Sequence, residues 1–419
     1  MKEKIRIRLI LFLLMLCVLA SLGFARFSFG AILPFMKDGL NFTYQETGFV
    51  ASGIFLGYLL SSFFSGYFVI KYTAKRVILF SFMLAAVSMM IISFSDQFWM
   101  AVLGSLILGI SSGGANIPAL GIVSRWFASS HRGIAMGIVN SGSGIGMVFS
   151  GLIIPLLVSI EPQSGWRYSW MLLALFIVLI LIINALLLKN DPKEVGMKPV
   201  GYSCDPPGVP GKVDELVQSS SVYKNKSVWL VGFTYMAWGF SYLIFSTFLV
   251  DYLMTDADFD KTKAGHYFAV GGFVSVFSGF IWGGISDKLG RVRTLSIVYL
   301  YQAILLVMMV LTNHSALLLL EITLYGLSLW AAPTVTSVSI SEFVQPRLVP
   351  IALGFSTLFF GIGQFISPIV TGVLIDRTGS YSIAFFVSAA AVAIGSLISI
   401  LFYSRYSKKK IVYTNEKII

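Results

Sequence analysis

Cysteine, histidine and charge are all scarce in this sequence. Two cysteines (Cys17 and Cys204) and three histidines (His131, His266 and His314) in 419 residues leave no material for a disulfide framework and little for a metal site. Charged residues make up 12%, against about 25% in soluble globular chains, too few to cover the water-facing surface of a chain this long. A soluble enzyme, a secreted disulfide-stapled domain and a disordered chain are therefore excluded. The clustered His, Cys or carboxylates of a membrane enzyme are absent. So is a Gly-x-x-x-x-Gly-Lys-Ser/Thr run that would seat a nucleotide. No metal and no cofactor is implied.

What the chain has is apolar surface: 57% hydrophobic residues, 15% aromatic and a mean hydropathy of +0.85. Twelve membrane helices of about 20 residues need about 240 residues, which the apolar set supplies. Apolar runs predict helices over 9–35, 45–70, 77–95, 99–124, 133–158, 168–188, 228–251, 264–286, 294–312, 316–340, 349–374 and 381–403. The basic start resembles a secretory signal, with Gly23 and Ala25 offering a cleavage site. The run continues past Arg26 to Pro34, however, and reads as an uncleaved first helix. With the N-terminus inside, 24 of the 30 Lys and Arg fall in inner segments and 5 in outer ones. That asymmetry predicts both termini in the cytoplasm and accounts for the net charge of +11 without nucleic acid. Aromatics at span ends (Trp99, Trp126, Trp166, Trp229) read as interfacial belts.

The one long loop, 189–226, carries Asp205-Pro206-Pro207-Gly208-Val209-Pro210-Gly211 and Ser219-Ser220-Ser221, and reads as a solvated linker. It divides the chain into a six-helix bundle at 1–188, the linker, a second bundle at 227–404 and a basic cytoplasmic tail at 405–419. The bundles align without gaps at an offset of 217: Gly66 on Gly283, Gly109 on Gly326, Ser124 on Ser341, Ile134–Gly137 on Ile351–Gly354, and Gly144-Ile145-Gly146 on Gly361-Ile362-Gly363. The fold class is an all-α membrane protein of twelve transmembrane helices in two six-helix pseudo-repeats. Parallel repeats of this kind imply a site near midplane and rocking of one half on the other.

The loop after the eighth predicted helix reads Gly283-Gly284-Ile285-Ser286-Asp287-Lys288-Leu289-Gly290-Arg291-Val292-Arg293. Its counterpart, Gly66-Tyr67-Phe68-Val69-Ile70-Lys71-Tyr72-Thr73-Ala74-Lys75-Arg76, has Ile70 in place of the acid. With Ser124–Gly137, Gly165-Trp166-Arg167 and Asp191–Pro199, these residues make almost the whole chain resemble a major facilitator superfamily (MFS) transporter. Together they resemble the bacterial branch near the oxalate/formate and monocarboxylate carriers, including YbfB-type members. Two departures are Ser105, where many relatives have Arg, and the missing Gly-Pro-x-x-Gly-Gly end of helix 5 typical of drug/proton antiporters. The resemblance implies gating by Gly66, Gly283, Asp287, Lys288, Gly290 and Arg291. Asp287 would cap a neighbouring helix and pair with a base, and apolar packing would stand in at Ile70.

By the same resemblance helices 1, 4, 7 and 10 line a central cavity. Arg26 is the only deep cation in the sequence. A guanidinium in a low-dielectric site suits a carboxylate; it can instead form a structural ion pair or snorkel, the weakest reading because Pro34 lies about 12 Å further along the helix. Glu321 reads as the only deep acid, on the outer half with Arg26. It is either a proton carrier or a lipid-edge or permanently paired group. Asn116, Asn140, Trp238, Tyr242, Trp330 and Gln364 can supply hydrogen bonds and aromatic walls, although each alone is more often a packing residue.

The reading is a secondary active transporter in the cell membrane of a bacterium, working by alternating access on a small organic anion with proton or exchange coupling. Its partners are that small molecule and the bilayer, with no nucleic acid, and it is expected to be a monomer. Efflux of a hydrophobic or cationic compound, and a transporter-like sensor, are the alternatives.

Overall fold

The computed structural model describes residues 2–201, 222–312, 314–344 and 348–415. Cys204, the Pro/Gly run at 205–211, Ser219-Ser220-Ser221 and Arg347 lie outside the described residues. Among the described residues twelve helices are long and apolar enough to cross a membrane: helix 1 Glu3–Leu40, helix 2 Tyr44–Tyr72, helix 3 Ala74–Ser93, helix 4 Phe98–Trp126, helix 5 His131–Ile160, helix 6 Gly165–Leu187, helix 7 Lys226–Thr255, helix 8 Lys261–Leu289, helix 9 Arg291–Leu311, helix 10 Ser315–Ile340, helix 11 Ile351–Thr378 and helix 12 Ser382–Leu401. Several overrun the predicted spans, because polar residues at helix ends extend hydrogen-bonded turns beyond the apolar core.

The 217-residue offset is written into the backbone as well as the side chains. Asn41, directly after helix 1, and Asp258, three residues after helix 7, both adopt a positive φ, +53° and +54°. Thr43 caps helix 2 by accepting the Glu46 N–H at 3.1 Å, while Asp260 accepts the Thr262 and Lys263 N–H groups at 2.9 and 3.0 Å at the start of helix 8. Thr73 and Gly290 precede helices 3 and 9 at φ +78° and +88°. Each pair stands 217 residues apart, so the duplication preserves turn geometry even where the residue types differ.

The chain forms two compact units. The first takes Met1–Gly208, Phe245–Val276 and Pro368–Tyr381; the second takes Val209–Ile244, Phe277–Ser367 and Ser382–Ile419. In the first unit, helix 1 is α-helical to Val18, π-helical over Leu19–Phe27 and α-helical again from Ser28. The widened turn displaces carbonyls from their usual donors, and hydroxyls occupy them: Ser112 donates to Ser21 O at 2.5 Å and Ser28 to Gly23 O at 3.1 Å. A Cβ at Gly23 would collide with Gly146 of helix 5, so glycine sets this close crossing.

The start of the linker is tied to the first bundle by hydrogen bonds, while Lys193, Glu194, Gly196 and Lys198 within it are exposed. Val200 exchanges backbone bonds with Trp126 and Ala128 at 2.8 and 2.9 Å, Asn190 Oδ1 accepts the Lys75 N–H at 2.7 Å, and Arg6 donates to Val195 O at 2.8 Å. Two of the four tryptophans assigned to interfacial belts also differ from expectation. Trp126 and Trp166 are buried, the latter in space that Gly39 leaves by having no Cβ.

In the second unit helix 10 is not continuous. It runs over Ser315–Gly326 and resumes at Ala331–Phe343. Unpaired backbone is costly in hydrocarbon, and here polar side chains from neighbouring helices satisfy it. Trp282 Nε1 donates to Leu327 O at 3.1 Å and Tyr301 Oη to Leu324 O at 3.1 Å. Gln302 Nε2 donates to both Ser328 O and Ser328 Oγ, at 3.0 and 3.1 Å, and the Trp330 N–H donates to Ser278 Oγ at 2.9 Å.

Candidate substrate and gating sites

Arg26 sits at the end of the π-helical turn and is 5% exposed. It does not snorkel. Its guanidinium carbon lies 4.7 Å from the ring centroids of both Phe55 and Tyr58 of helix 2, and 5.7 Å from that of Phe27. Stacking on ring faces offsets part of the cost of burying the charge. The N–H groups of any guanidinium lie in its plane, where a carboxylate or sulfonate meets them edge-on. Asn116 of helix 4 is buried beside this group, donating from Nδ2 to Tyr58 Oη at 3.1 Å. Two of the sequence candidates, Arg26 and Asn116, thus converge through Tyr58. Asn140 is exposed on helix 5 and belongs to neither cluster described here.

In the second unit four other candidates come together. Tyr235, Trp238 and Tyr242 share one face of helix 7, as spacings of three and four require. Trp238 lies 4.5 Å from Tyr242 at an interplanar angle of 10°, and Phe360 of helix 11 lies 4.6 Å from Tyr235 at 12°. The result is a stack of nearly parallel rings. Gly239 and Gly363 make it possible, since a Cβ at either would clash with the facing helix. Gln364 donates to Tyr242 Oη, and Trp330, presented by the break in helix 10, is 6.5 Å from the Tyr242 ring. Glu321 is 2% exposed; Thr312 donates to its Oε1 at 2.7 Å, and its Oε2 is buried with no hydrogen-bond partner among the described residues.

At the loop between helices 8 and 9, Asp287 pairs with Arg291 at 2.5 Å, and Arg291 reaches Glu342 at 3.4 Å. Arg291 Nη1 also donates to Ser286 Oγ at 2.5 Å. Gly290 supplies the positive φ that turns the chain into helix 9, and Gly283 lies 3.7 Å from Thr334 by its would-be Cβ. Gly66 and Lys288 are exposed. Ile70 does not pack: it is 90% exposed, at the end of a helix that overruns the apolar span.

A family model described as Major Facilitator Superfamily matches residues 15–339. The chain belongs to the major facilitator superfamily. It is accordingly a multi-pass membrane transporter and not an enzyme. Among curated relatives of this MFS chain, the probable sulfoacetate transporter SauU of Cupriavidus necator is 23% identical, covering 96% of this chain and 95% of its own length. The hexuronate transporter of Bacillus subtilis is 22% identical, covering 96% of both. The D-xylose-proton symporter, among solved structures, shares the MFS fold with a TM-score of 0.74 at 13% identity, over 92% of this chain and 96% of that one.

One buried acid escapes sequence reasoning. The predicted span over 228–251 puts Asp251 at the outer end of helix 7, but the helix continues to Thr255 and Asp251 is 2% exposed. Glu321 is therefore not the only deep acid. Tyr381 donates to Asp251 Oδ2 at 2.5 Å, and burial together with that carboxylate holds the Tyr381 phenol well above its ordinary pKa, so it remains the donor. An acid at the edge of an apolar run carries no depth signal, because the run only bounds the helix. Arg26 is legible because apolar residues flank it on both sides.

Proposed function

We propose that this protein carries a small organic anion across the membrane by alternating access of its two six-helix halves, 1–188 and 227–404, with Arg26 as the group that takes the negative charge. The observation that carries the reading is a guanidinium 5% exposed, stacked on Phe55 and Tyr58 beside Asn116. A buried charge of this kind is costly, and intramembrane ionisable groups mark substrate and ion pathways. The two relatives above, named for sulfoacetate and a hexuronate, support an anionic substrate. Glu321 is the proton carrier in this reading, and Asp287, Arg291 and Gly290 belong to the cytoplasmic gate.

Counterflow in proteoliposomes tests the assignment. Arg26→Lys keeps the charge and loses the planar fork, so exchange of a labelled anion falls while insertion is retained; Arg26→Ala abolishes it. Wild-type exchange by Arg26→Ala defeats the reading. Glu321→Gln loses accumulation under an imposed pH gradient but keeps counterflow, and unchanged accumulation assigns coupling elsewhere.

A further inference from the structure

The loops that follow helices 1, 5, 7 and 11 all lie in the first unit, where the ends of both sequence halves pack along two seams. At one, helix 2 meets helix 11: a Cβ at Gly48 would collide with the Pro368 carbonyl, and one at Gly372 with the Tyr44 carbonyl. At the other, helix 8 meets helix 5: a Cβ at Gly265 would collide with the Gly151 carbonyl and the Pro155 ring. Gly48 and Gly265 are 217 residues apart, as are Gly151 and Pro368, so the seams are copies of one another.

Their polar ends are not copies. Asp376 accepts the backbone N–H groups of Tyr44 and Gln45, at 2.9 Å on Oδ1 and 2.7 Å on Oδ2. These are the first two helical donors of helix 2, and a helix start leaves such donors without intrahelical partners. The other donors at this terminus are met locally: Glu46 N–H by Thr43 Oγ1 and Thr43 N–H by Glu46 Oε2. The position equivalent to Asp376 in the other seam is Ser159, whose hydroxyl turns back to Pro155 O at 2.8 Å. There the polar contact is instead Lys261, equivalent to Tyr44, donating to Val158 O at 3.2 Å near the C-terminal end of helix 5. One seam thus sets an anion on a helix N-terminus and the other a cation near a helix C-terminus, the two favourable placements on a helix dipole.

We propose that Asp376 is a gating residue: its carboxylate on the N-terminus of helix 2 latches this end shut, and opening of this end in the transport cycle breaks that contact, returning both donors to water. Lys261 is the weaker counterpart, because it makes one bond to a carbonyl where Asp376 makes two charge-assisted bonds. The glycine contacts set how closely the helices approach in either seam, and the carboxylate adds the bond that must be released.

The test uses the full chain in lipid nanodiscs, with Cys17 and Cys204 replaced and nitroxides on Gln45→Cys and Arg377→Cys. Distances between the labels report opening of the helix 2–helix 11 seam with no substrate present, so the result is independent of whether Arg26 binds an anion. Asp376→Leu is expected to raise the ratio of long to short distances about three- to tenfold. Asp376→Asn, which still accepts hydrogen bonds but carries no charge, is expected to fall between Leu and the parent. A distance distribution in Asp376→Leu identical to the parent, or shifted to shorter distances, overturns the proposal. Should the Leu variant fail to fold, an unchanged distribution in Asp376→Asn overturns it equally.

Discussion

Thr73 holds φ +78° and ψ 150°, a region essentially restricted to glycine, at a cost of order 1–3 kcal/mol for a side chain. Its repeat partner Gly290 adopts the same conformation without that cost. The Thr73 side chain caps nothing, so replacing it loses no hydrogen bond at the start of helix 3. After the greater flexibility of an unfolded glycine is deducted, Thr73→Gly is expected to stabilise the protein by about 1 kcal/mol, read as a higher melting temperature in detergent; a lower one contradicts the strain. Ile70→Asp, at a position 90% exposed, is expected to change stability by no more than about 0.5 kcal/mol in the same assay. Aligning the two loops at the 217 offset shows that the first lacks the acid. It does not show that Thr73 keeps the glycine's backbone, because conformation is inherited from the turn's geometry and not from the side chain.

Helix 10 shows the corresponding limit for an element. Its apolar residues continue from Ala316 through the interruption to Ile340, and hydropathy therefore predicts one span over 316–340. Gly326 and Pro333 weaken the helix locally; tight backbone turns such as Ser328 N–H to Tyr325 O and Leu329 N–H to Gly326 O carry the chain through the interruption, and Gln302, Trp282 and Tyr301 reach its carbonyls from outside. Those partners are non-local and leave no periodic signal. Gln302→Leu removes two bonds to Ser328 and is expected to cost about 1–3 kcal/mol, with counterflow falling further than protein yield because Trp330 loses its fixed place. Equal activity per molecule shows that the break is structural only. Helix 7 is legible in position but not in length, and the four residues by which it outruns its predicted end are enough to hide Asp251.

At the scale of the whole molecule, the twelve spans, the duplication and the superfamily are readable from composition, loop charge and the Gly283–Arg293 signature. Orientation rests on the Lys and Arg distribution. It predicts that Gln163→Cys, in the loop after helix 5, is labelled by a membrane-impermeant maleimide in intact cells, and Lys198→Cys only after lysis; the reverse pattern inverts the topology. The convergence of Arg26 with Phe55, Tyr58 and Asn116, by contrast, depends on helix rotation and on the π-helical turn over Leu19–Phe27, neither of which hydropathy encodes. That cluster is the centre of the account. Thermal-shift titration of the purified protein with sulfoacetate, a hexuronate and a panel of mono- and dicarboxylates measures its role most directly, since a ligand at about 100 times its Kd stabilises by about 2.7 kcal/mol. The account predicts that at least one organic anion raises the melting temperature of the parent protein, that the shift shrinks in Arg26→Lys and that it vanishes in Arg26→Ala. An anion that stabilises Arg26→Ala as strongly as the parent would contradict it.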